Sequence, residues 1–255
     1  MDNLYIFIPT KNRYDNCKTA NLIGDYKNLF LVVEPHEYKE YRINYPNFNI
    51  LQLPEDDKGL AYARNWVKLF TVRGGIEQYW LLDDDISYFY KRQGTKLIRN
   101  NYDDSLLDAQ DYFINNGVAV GALEYRQYAW SSTKRGVYNS FCDSAVFIDN
   151  KLTDGIFCNE ELKLKIDRDF CIKVIRSGNK TCRDTMNAFS VPPNGSNKGG
   201  LKEIAYDQKD TELNACKKMI EIWGDDICRH IVKPDGRNDL KINWKNINSK
   251  QTKLF

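Results

Sequence analysis

Residues 78–85 read Gln-Tyr-Trp-Leu-Leu-Asp-Asp-Asp, a short strand-like run that stops on three consecutive aspartates. Three similar runs precede it, at 3–9 (NLYIFIP), 29–34 (LFLVVE) and 48–54 (FNILQLP), each bounded by Pro, Asp or Asn as buried strands commonly are. Between them lie stretches of helical length at 14–26 and 37–44. A further helix is predicted at 59–72, where Leu60, Ala63, Val67 and Phe70 are spaced to share one face. Strand–helix–strand alternation predicts an α/β fold, a parallel sheet covered on both faces with ligands at the carboxyl ends of its strands. The aspartates close the fourth strand and so fall on that edge.

Downstream the pattern is less regular. A helix is predicted at 105–115 and strands at 118–123 and 144–148. Another helix at 167–177 sets Phe170, Val174 and Ile175 on one face and stops at Gly178. The last, at 207–223, aligns Leu213, Cys216, Ile220 and Trp223. Residues 192–200, Pro-Pro-Asn-Gly-Ser-Asn-Lys-Gly-Gly, have the most flexible composition of the chain. With no repeat and no clear linker, a single domain is expected, with a core over 1–200 and a helix and extension over 201–255 that complete it.

The chain has 255 residues, 42% apolar and 28% charged, ample for a core and incompatible with a disordered chain. Its apolar runs fall far short of the roughly 20 residues of a membrane span. No basic start followed by an apolar stretch marks a signal peptide. A soluble, cytoplasmic protein with no membrane partner is therefore expected. A net charge of +2 is too small for a nucleic-acid coat, so any nucleic-acid contact must be local. The 7 cysteines include no C-x-x-C pair and there are only 2 histidines, which disfavours structural zinc and favours reduced, packed thiols.

In an extended chain Asp83 and Asp85 point one way and Asp84 the other. Two carboxylates at a sheet edge suit a hard divalent cation, magnesium or manganese, that also holds phosphate oxygens; the alternative is an Asx turn or helix cap. The loop Pro9-Thr10-Lys11-Asn12-Arg13 and the pair Glu34-Pro35 close two strands on the same edge, where Arg13 could meet a phosphate or a base, or the loops could be plain turns. Residues 59–65 open a helix whose N-terminus attracts anions; Arg64 adds a charge there, or makes an ordinary surface ion pair. Asp167 and Asp169 sit in a helix's first turn, which the macrodipole alone favours. Lys198 lies in the flexible loop, able to close over a diphosphate. Tyr125, Arg126 and Trp130, followed by Lys134 and Arg135, mix aromatic and basic groups suited to base stacking and phosphate contact, to gripping sugars, or to packing. Residues 233–255 carry more basic than acidic groups, a solvated tail or a backbone contact. His36 and His230 read as packed or surface residues, with His230 the one open to a metal.

The ordered series of strand-Pro-Thr-x-x-Arg, Val-Val-Glu-Pro, Gly-x-x-x-Ala-Arg-Asn and Leu-Leu-Asp-Asp-Asp resembles the GT-A nucleotide-sugar glycosyltransferases. Among them it is most similar to the TET/JBP-associated group, which includes the base J glucosyltransferase and phage enzymes, over residues 3–200. The resemblance implies a GT-A, Rossmann-like, mixed and mostly parallel sheet flanked by helices, with a donor side at about 3–90 and an acceptor side at about 91–200. It implies a uridine pocket of Pro9, Thr10, Arg13 and Glu34, with Arg64 and Asn65 near the diphosphate or ribose. Asp83 and Asp84 would face the ribose and sugar, and Asp85, with Asp83 as a second candidate, the metal. The family's E-D-x-D-F motif reads Ile166-Asp167-Arg168-Asp169-Phe170 here, with isoleucine for the leading glutamate, and makes Asp167 the expected general base.

The function so implied is transfer of a sugar, glucose foremost, from a UDP-sugar to the hydroxyl of a 5-hydroxymethylpyrimidine in DNA. It would use manganese or magnesium and inverting displacement, in the host cytoplasm if the protein is phage-encoded. Tyr125, Arg126, Trp130, Lys134 and Arg135 are the expected acceptor contacts. Three alternatives remain at this point: a polysaccharide or protein acceptor, nucleotidyl transfer with two metals, and a non-catalytic DNA- or sugar-binding module.

Overall fold

The computed structural model describes residues 4–130, 133–192 and 210–249. The first half runs β1 (Ile6–Pro9), α1 (Lys18–Ile23), β2 (Leu29–Val33), α2 (Tyr38–Asn44), β3 (Asn49–Gln52), α3 (Leu60–Arg73) and β4 (Gln78–Leu82). These four strands are parallel, and β1 pairs with both β2 and β4. Strand order therefore reverses beside β1, which opens a crevice beyond the carboxyl ends of β1 and β4.

The second half contributes β5 (Tyr88–Gln93), β6 (Lys96–Asn100), α4 (Tyr102–Asn115), β7 (Val118–Tyr125), β8 (Gly136–Tyr138), β9 (Ala145–Asp149), α5 (Ile166–Arg176) and β10 (Lys180–Ser190). The sheet reads β3-β2-β1-β4-β9-β7-β10-β5-β6, with β8 also on β10. β9 runs antiparallel to β4 and β7, and β5 antiparallel to β10. The antiparallel β9 brings the residues just before it to the edge where the parallel strands end. The chain closes with α6 (Thr211–Trp223) and the hairpin β11 (Cys228–Val232) with β12 (Asn238–Ile242).

Alternation along β4 separates two cores. Trp80 and Leu82 join Ile6, Ile8, Leu106 and Phe113 on the face covered by α1 and α4. Tyr79 and Leu81 join Phe7, Val67, Phe170 and Val174 on the face covered by α3 and α5. The buried indole of Trp80 donates to Gln110 Oε1 at 3.0 Å, so the polar edge of the ring is satisfied inside the first core. Gly121 lets α4 lie directly on the sheet, since a Cβ there would stand 2.3 Å from the Phe113 ring.

The helix expected at 14–26 is only six residues long. The chain ahead of it is held instead by α2 and the residue that follows it: the Tyr41 hydroxyl accepts from the Arg13 N–H at 3.2 Å and the Tyr45 hydroxyl from the Cys17 N–H at 2.9 Å. Strands β5, β6, β10, β11 and β12 were not legible, since Lys91, Arg92, Lys96 and Arg99 load the edge hairpin with charge. In β10 the polar Thr181, Asp184, Thr185 and Asn187 are fully buried. The start expected for the last helix, 207–209, lies outside the described residues. All 7 cysteines are free thiols, and among the described residues no helix is long and apolar enough to cross a membrane.

A third core joins α6 and the β11–β12 hairpin to α5 and the start of α3 through Ala61, Ile172, Met219, Ile227 and Leu240. Asp239 of β12 ties this layer to the start of α5. It pairs with Lys165 at 2.8 Å, Arg168 at 2.7 Å and Lys233 at 2.7 Å. Burial alone would raise the Asp239 pKa, but the hydrogen bonds from Arg168, Lys165 and Lys233 outweigh it and hold the carboxyl well below the usual range. A depressed native pKa stabilises the fold above the unfolded value near pH 4, and that stabilisation is lost as the pH falls through the native value. Asp239→Asn is therefore expected to lower unfolding free energy by about 3 kcal/mol near neutral pH, because it removes the anion that Lys165, Arg168 and Lys233 share. The deficit relative to wild type should shrink in acid below pH 4. A denaturant titration at two pH values checks it, and a neutral-pH midpoint equal to wild type would dismiss the clamp.

Candidate active site

The three aspartates after β4 are fixed through their backbone. Asp83 N–H donates to Ser144 O at 2.7 Å, and Thr19 Oγ1 donates to Asp83 O at 2.5 Å while its own N–H donates to Asp84 O at 3.2 Å. Asp84 turns inward, accepts from Thr10 Oγ1 at 2.7 Å and pairs with Arg13 Nη1. Burial pushes the Asp84 carboxyl up to about 7 against the pull of Arg13 and Thr10. Asp83 and Asp85 reach solvent instead, with side chains 40% and 26% exposed. That split is the one the pleat predicts for alternate residues.

Two further carboxylates approach Asp83 from other elements. Asp167, second residue of α5, pairs with Arg64 Nη1, and Arg64 Nη2 lies 3.9 Å from Asp83. Burial would lower the Arg64 pKa, but the nearby charges of Asp167 and Asp83 outweigh it and raise it. Asp143, just ahead of β9, accepts a hydrogen bond from the Tyr125 hydroxyl at 3.2 Å, and that hydroxyl also meets Ser144 Oγ at 2.9 Å. Burial, followed by the charges of Asp167 and Asp83, lifts the Asp143 carboxyl to about 7. Asp83 is raised as well: the protein crowding the solvent-facing carboxyl strips part of its hydration and Asp85 adds to this, with Arg64 opposing. Asp83 and Asp167 share the Arg64 guanidinium, and Asp143, opposed only weakly by the charge of Arg183, adds a third acid, a crowding of negative charge that protonation or a cation relieves.

Backbone strain collects at the same place. Asn12, Ser144 and Lys165 have φ of 56°, 59° and 66°, and each lies within two residues of Arg13, Asp143 or Asp167. Around Ser144 the chain closes a tight turn, with Ala145 N–H donating to Asp143 O at 2.6 Å. Positive φ at a non-glycine residue costs energy and is typical of sites that must aim a side chain.

The remaining expected site residues are distributed as follows. Pro9 ends β1. Glu34 is buried and paired with Lys11 at 2.7 Å, and Glu34, His36 and Asp56 bring donor atoms within 4.8 Å of one another. Asn65 spends its amide on the 158–160 segment, donating to Cys158 O at 3.0 Å and Glu160 Oε1 at 2.8 Å and accepting from Cys158 N–H. Arg126 stacks on Tyr90, 5.1 Å from its ring centre, and Arg92 stacks 5.7 Å from the ring centre of the half-exposed Trp130. Lys134 accepts from Thr185 through its carbonyl. Arg135 is committed to Asp108 at 2.8 Å and Asp184 at 3.0 Å. His230 meets Asn238 Oδ1 at 2.7 Å within the C-terminal hairpin. Lys198 lies outside the described residues.

Asp143 is the site residue that sequence reasoning missed. A strand was legible right after it, but an acid before a strand reaches the ligand edge only if that strand runs antiparallel. The residues present fit a divalent cation. Asp83 and Asp85 offer hard oxygen donors open to solvent, and the negative surplus around Asp83 is the electrostatic condition for holding one.

Residues 4–199 match the family described as TET-Associated Glycosyltransferase. No curated protein matches the chain in sequence. Among solved structures, residues 1–349 of S. aureus TarS superpose with a TM-score of 0.52 at 14% identity, covering 86% of this chain and 65% of that one. The same TarS segment has also been solved in complex with UDP, and superposes with a TM-score of 0.50. The mannosyltransferase PcManGT from Pyrobaculum calidifontis, solved with GDP-Man and Mn2+, gives 0.51 at 15% identity over 76% of this chain and 58% of that one. This chain therefore spans 65% or less of the length of these neighbours. At such identities the likeness establishes the fold, which is GT-A.

Proposed function

Because this chain belongs to the TET-associated glycosyltransferase family, we propose that it moves a sugar, glucose foremost, from a UDP-sugar to the hydroxyl of a 5-hydroxymethylpyrimidine in DNA. The observation that carries the transfer chemistry is the meeting of Asp167, Arg64, Asp83 and Asp143 at the switch-point edge of the sheet, while the DNA acceptor follows from the family's description. UDP in TarS and GDP-Man with Mn2+ in PcManGT support a nucleotide-sugar donor and a divalent cation. In this reading residues 3–90 form the donor side and 91–200 the acceptor side, and 201–255 complete the same domain.

The loop after β1 would receive the nucleoside, with Thr10 and Arg13 already oriented by Asp84 and Tyr41. Asp83 and Asp85 would hold the cation, which when bound supplies positive charge to offset the diphosphate. Arg64 lies between Asp83 and Asp167 and so would orient Asp167 while facing the departing diphosphate. Asp167 would take the proton of the acceptor hydroxyl as its oxygen bonds to C1 of the sugar. The bond from C1 to the diphosphate oxygen breaks in the same displacement, and the configuration at C1 inverts. Asp143, lifted to about 7 by burial and by the charges of Asp167 and Asp83, is only partly ionised at neutral pH, which lowers the negative charge around Asp167.

The reading is tested by incubating the protein with UDP-glucose, manganese and DNA containing 5-hydroxymethylcytosine or 5-hydroxymethyluracil, then weighing the DNA by mass spectrometry. One added hexose per modified base is the expected result. No addition to either DNA with any common UDP-sugar would overturn it.

A further inference from the structure

Beside Tyr125 the structure has a cavity of about 330 Å³ lined by Tyr125, Tyr128, Phe141 and Arg183. Three segments build it. Tyr125 ends β7, Tyr128 sits in the 3-10 turn Arg126–Tyr128 that follows, Phe141 lies between β8 and β9, and Arg183 comes from β10. The volume is at the small end for ligand sites, enough for one substituted ring and too little for an oligosaccharide.

Other rings and charges pack against its walls. The Tyr125 ring rests on Phe189 at 4.6 Å. Phe141 stacks on Trp244 at 6.4 Å, and the guanidinium of Arg168 lies 5.6 Å from its ring centre. Arg183 lies 5.1 Å from the same ring centre and reaches the fully buried Glu124 at 3.4 Å. Its Nε is buried and has no hydrogen-bond partner, and neither does Glu124 Oε2. Those two atoms are out of a ligand's reach; what a ligand's carbonyl oxygen would meet is the part of the Arg183 side chain, 19% exposed, that lines the cavity.

The cavity also adjoins the chemistry. The Tyr125 ring lines it, while the Tyr125 hydroxyl holds Asp143, which lies close enough to Asp167 and Asp83 to feel their charges. Tyr128, which lines the cavity, is 55% exposed, an accessible aromatic ring of the kind that stacks on unpaired bases.

We propose that this cavity seats the acceptor's pyrimidine ring, extruded from the DNA and stacked among Tyr125, Tyr128 and Phe141. Arg183 donates to a ring carbonyl, and the hydroxymethyl group points past Tyr125 toward Asp143 and Asp167. An enzyme acting on a base must take it out of the stack, and three aromatic walls with one guanidinium repay that exposure. The proposal rests on the DNA-modifying reading above and adds where the base goes.

The test measures binding of a fluorescent single-stranded oligonucleotide carrying one 5-hydroxymethyluracil to the full chain, alongside UDP binding with manganese by thermal shift. Tyr128→Ala, at an exposed position, and Phe141→Leu are each expected to weaken oligonucleotide binding about 5- to 100-fold, the loss of one stacking partner. Both should leave the UDP shift at the wild-type value. Arg183→Gln is expected to reduce the preference for this base over a tetrahydrofuran abasic site. Wild-type affinity in Tyr128→Ala and Phe141→Leu, with transfer to DNA intact, overturns the seat and leaves the functional reading standing. If the wild-type chain neither binds nor modifies the oligonucleotide but glycosylates a polysaccharide, the functional reading fails and the seat fails with it.

Discussion

Asp167→Asn is expected to lower turnover by about 10²–10⁴-fold, the usual contribution of a positioned base, and to leave UDP binding with manganese near the wild-type level. The amide still accepts from Arg64, so the geometry that pairs Asp167 with Arg64 and Arg64 with Asp83 survives while the proton acceptor is gone. Arg64 loses its main counter-charge, so a modest drop in unfolding temperature accompanies the change. Single-turnover rates at saturating donor, together with the UDP-induced thermal shift, separate the two effects. A wild-type rate would remove Asp167 from the base role and turn attention to Asp143, the other acid of the cluster. An equal loss of UDP binding and rate would instead make Asp167 a donor-site residue.

Asp85→Asn acts on the other half of the reaction. It is expected to abolish the manganese-dependent part of the UDP thermal shift and weaken donor binding by at least ~10²-fold, since removing a direct oxygen ligand costs no less than removing an outer-shell partner. The fold should tolerate it, because the Asp85 side chain is partly exposed and Arg13 keeps its closer partner Asp84. Any UDP binding that persists would come through the β1 loop and show no response to added manganese. Full manganese-dependent binding in the variant would take Asp85 out of the cation site and leave Asp83 without its expected partner.

The half proposed to take the donor was largely legible because local signals there coincide with global ones. A strand ending on Asp83–Asp85, a helix carrying Arg64 near its start and an acid at the second position of α5 each carry pattern and punctuation of their own. Pleat alternation also foretold that Asp84 would part from its neighbours. The acceptor half was less legible. Arg135 looked like a phosphate contact, yet it is consumed by Asp108 and Asp184 where β10 passes from β8 to β5. Asn65, expected near the donor, ties down the 158–160 segment. Neither use leaves a trace in spacing, because the partners lie 27 to 95 positions away.

The amino-acid sequence by itself determined the parallel β1–β4 unit, the edge on which chemistry can occur and the acids that close β4 and open α5. These follow from periodicity, strand ends and helix starts, which are properties of neighbouring residues. Only the tertiary structure decided that Asp143 joins Asp83 and Asp167, that Phe141 and Arg183 face Tyr125 across one cavity, and that Asp239 braces the start of α5. Each depends on strand direction or on pairing between distant segments. An antiparallel β9 delivers Asp143 to the ligand edge, and a parallel one would carry it to the opposite end of the sheet. Strand direction is set by the packing of whole layers, which no window of sequence contains.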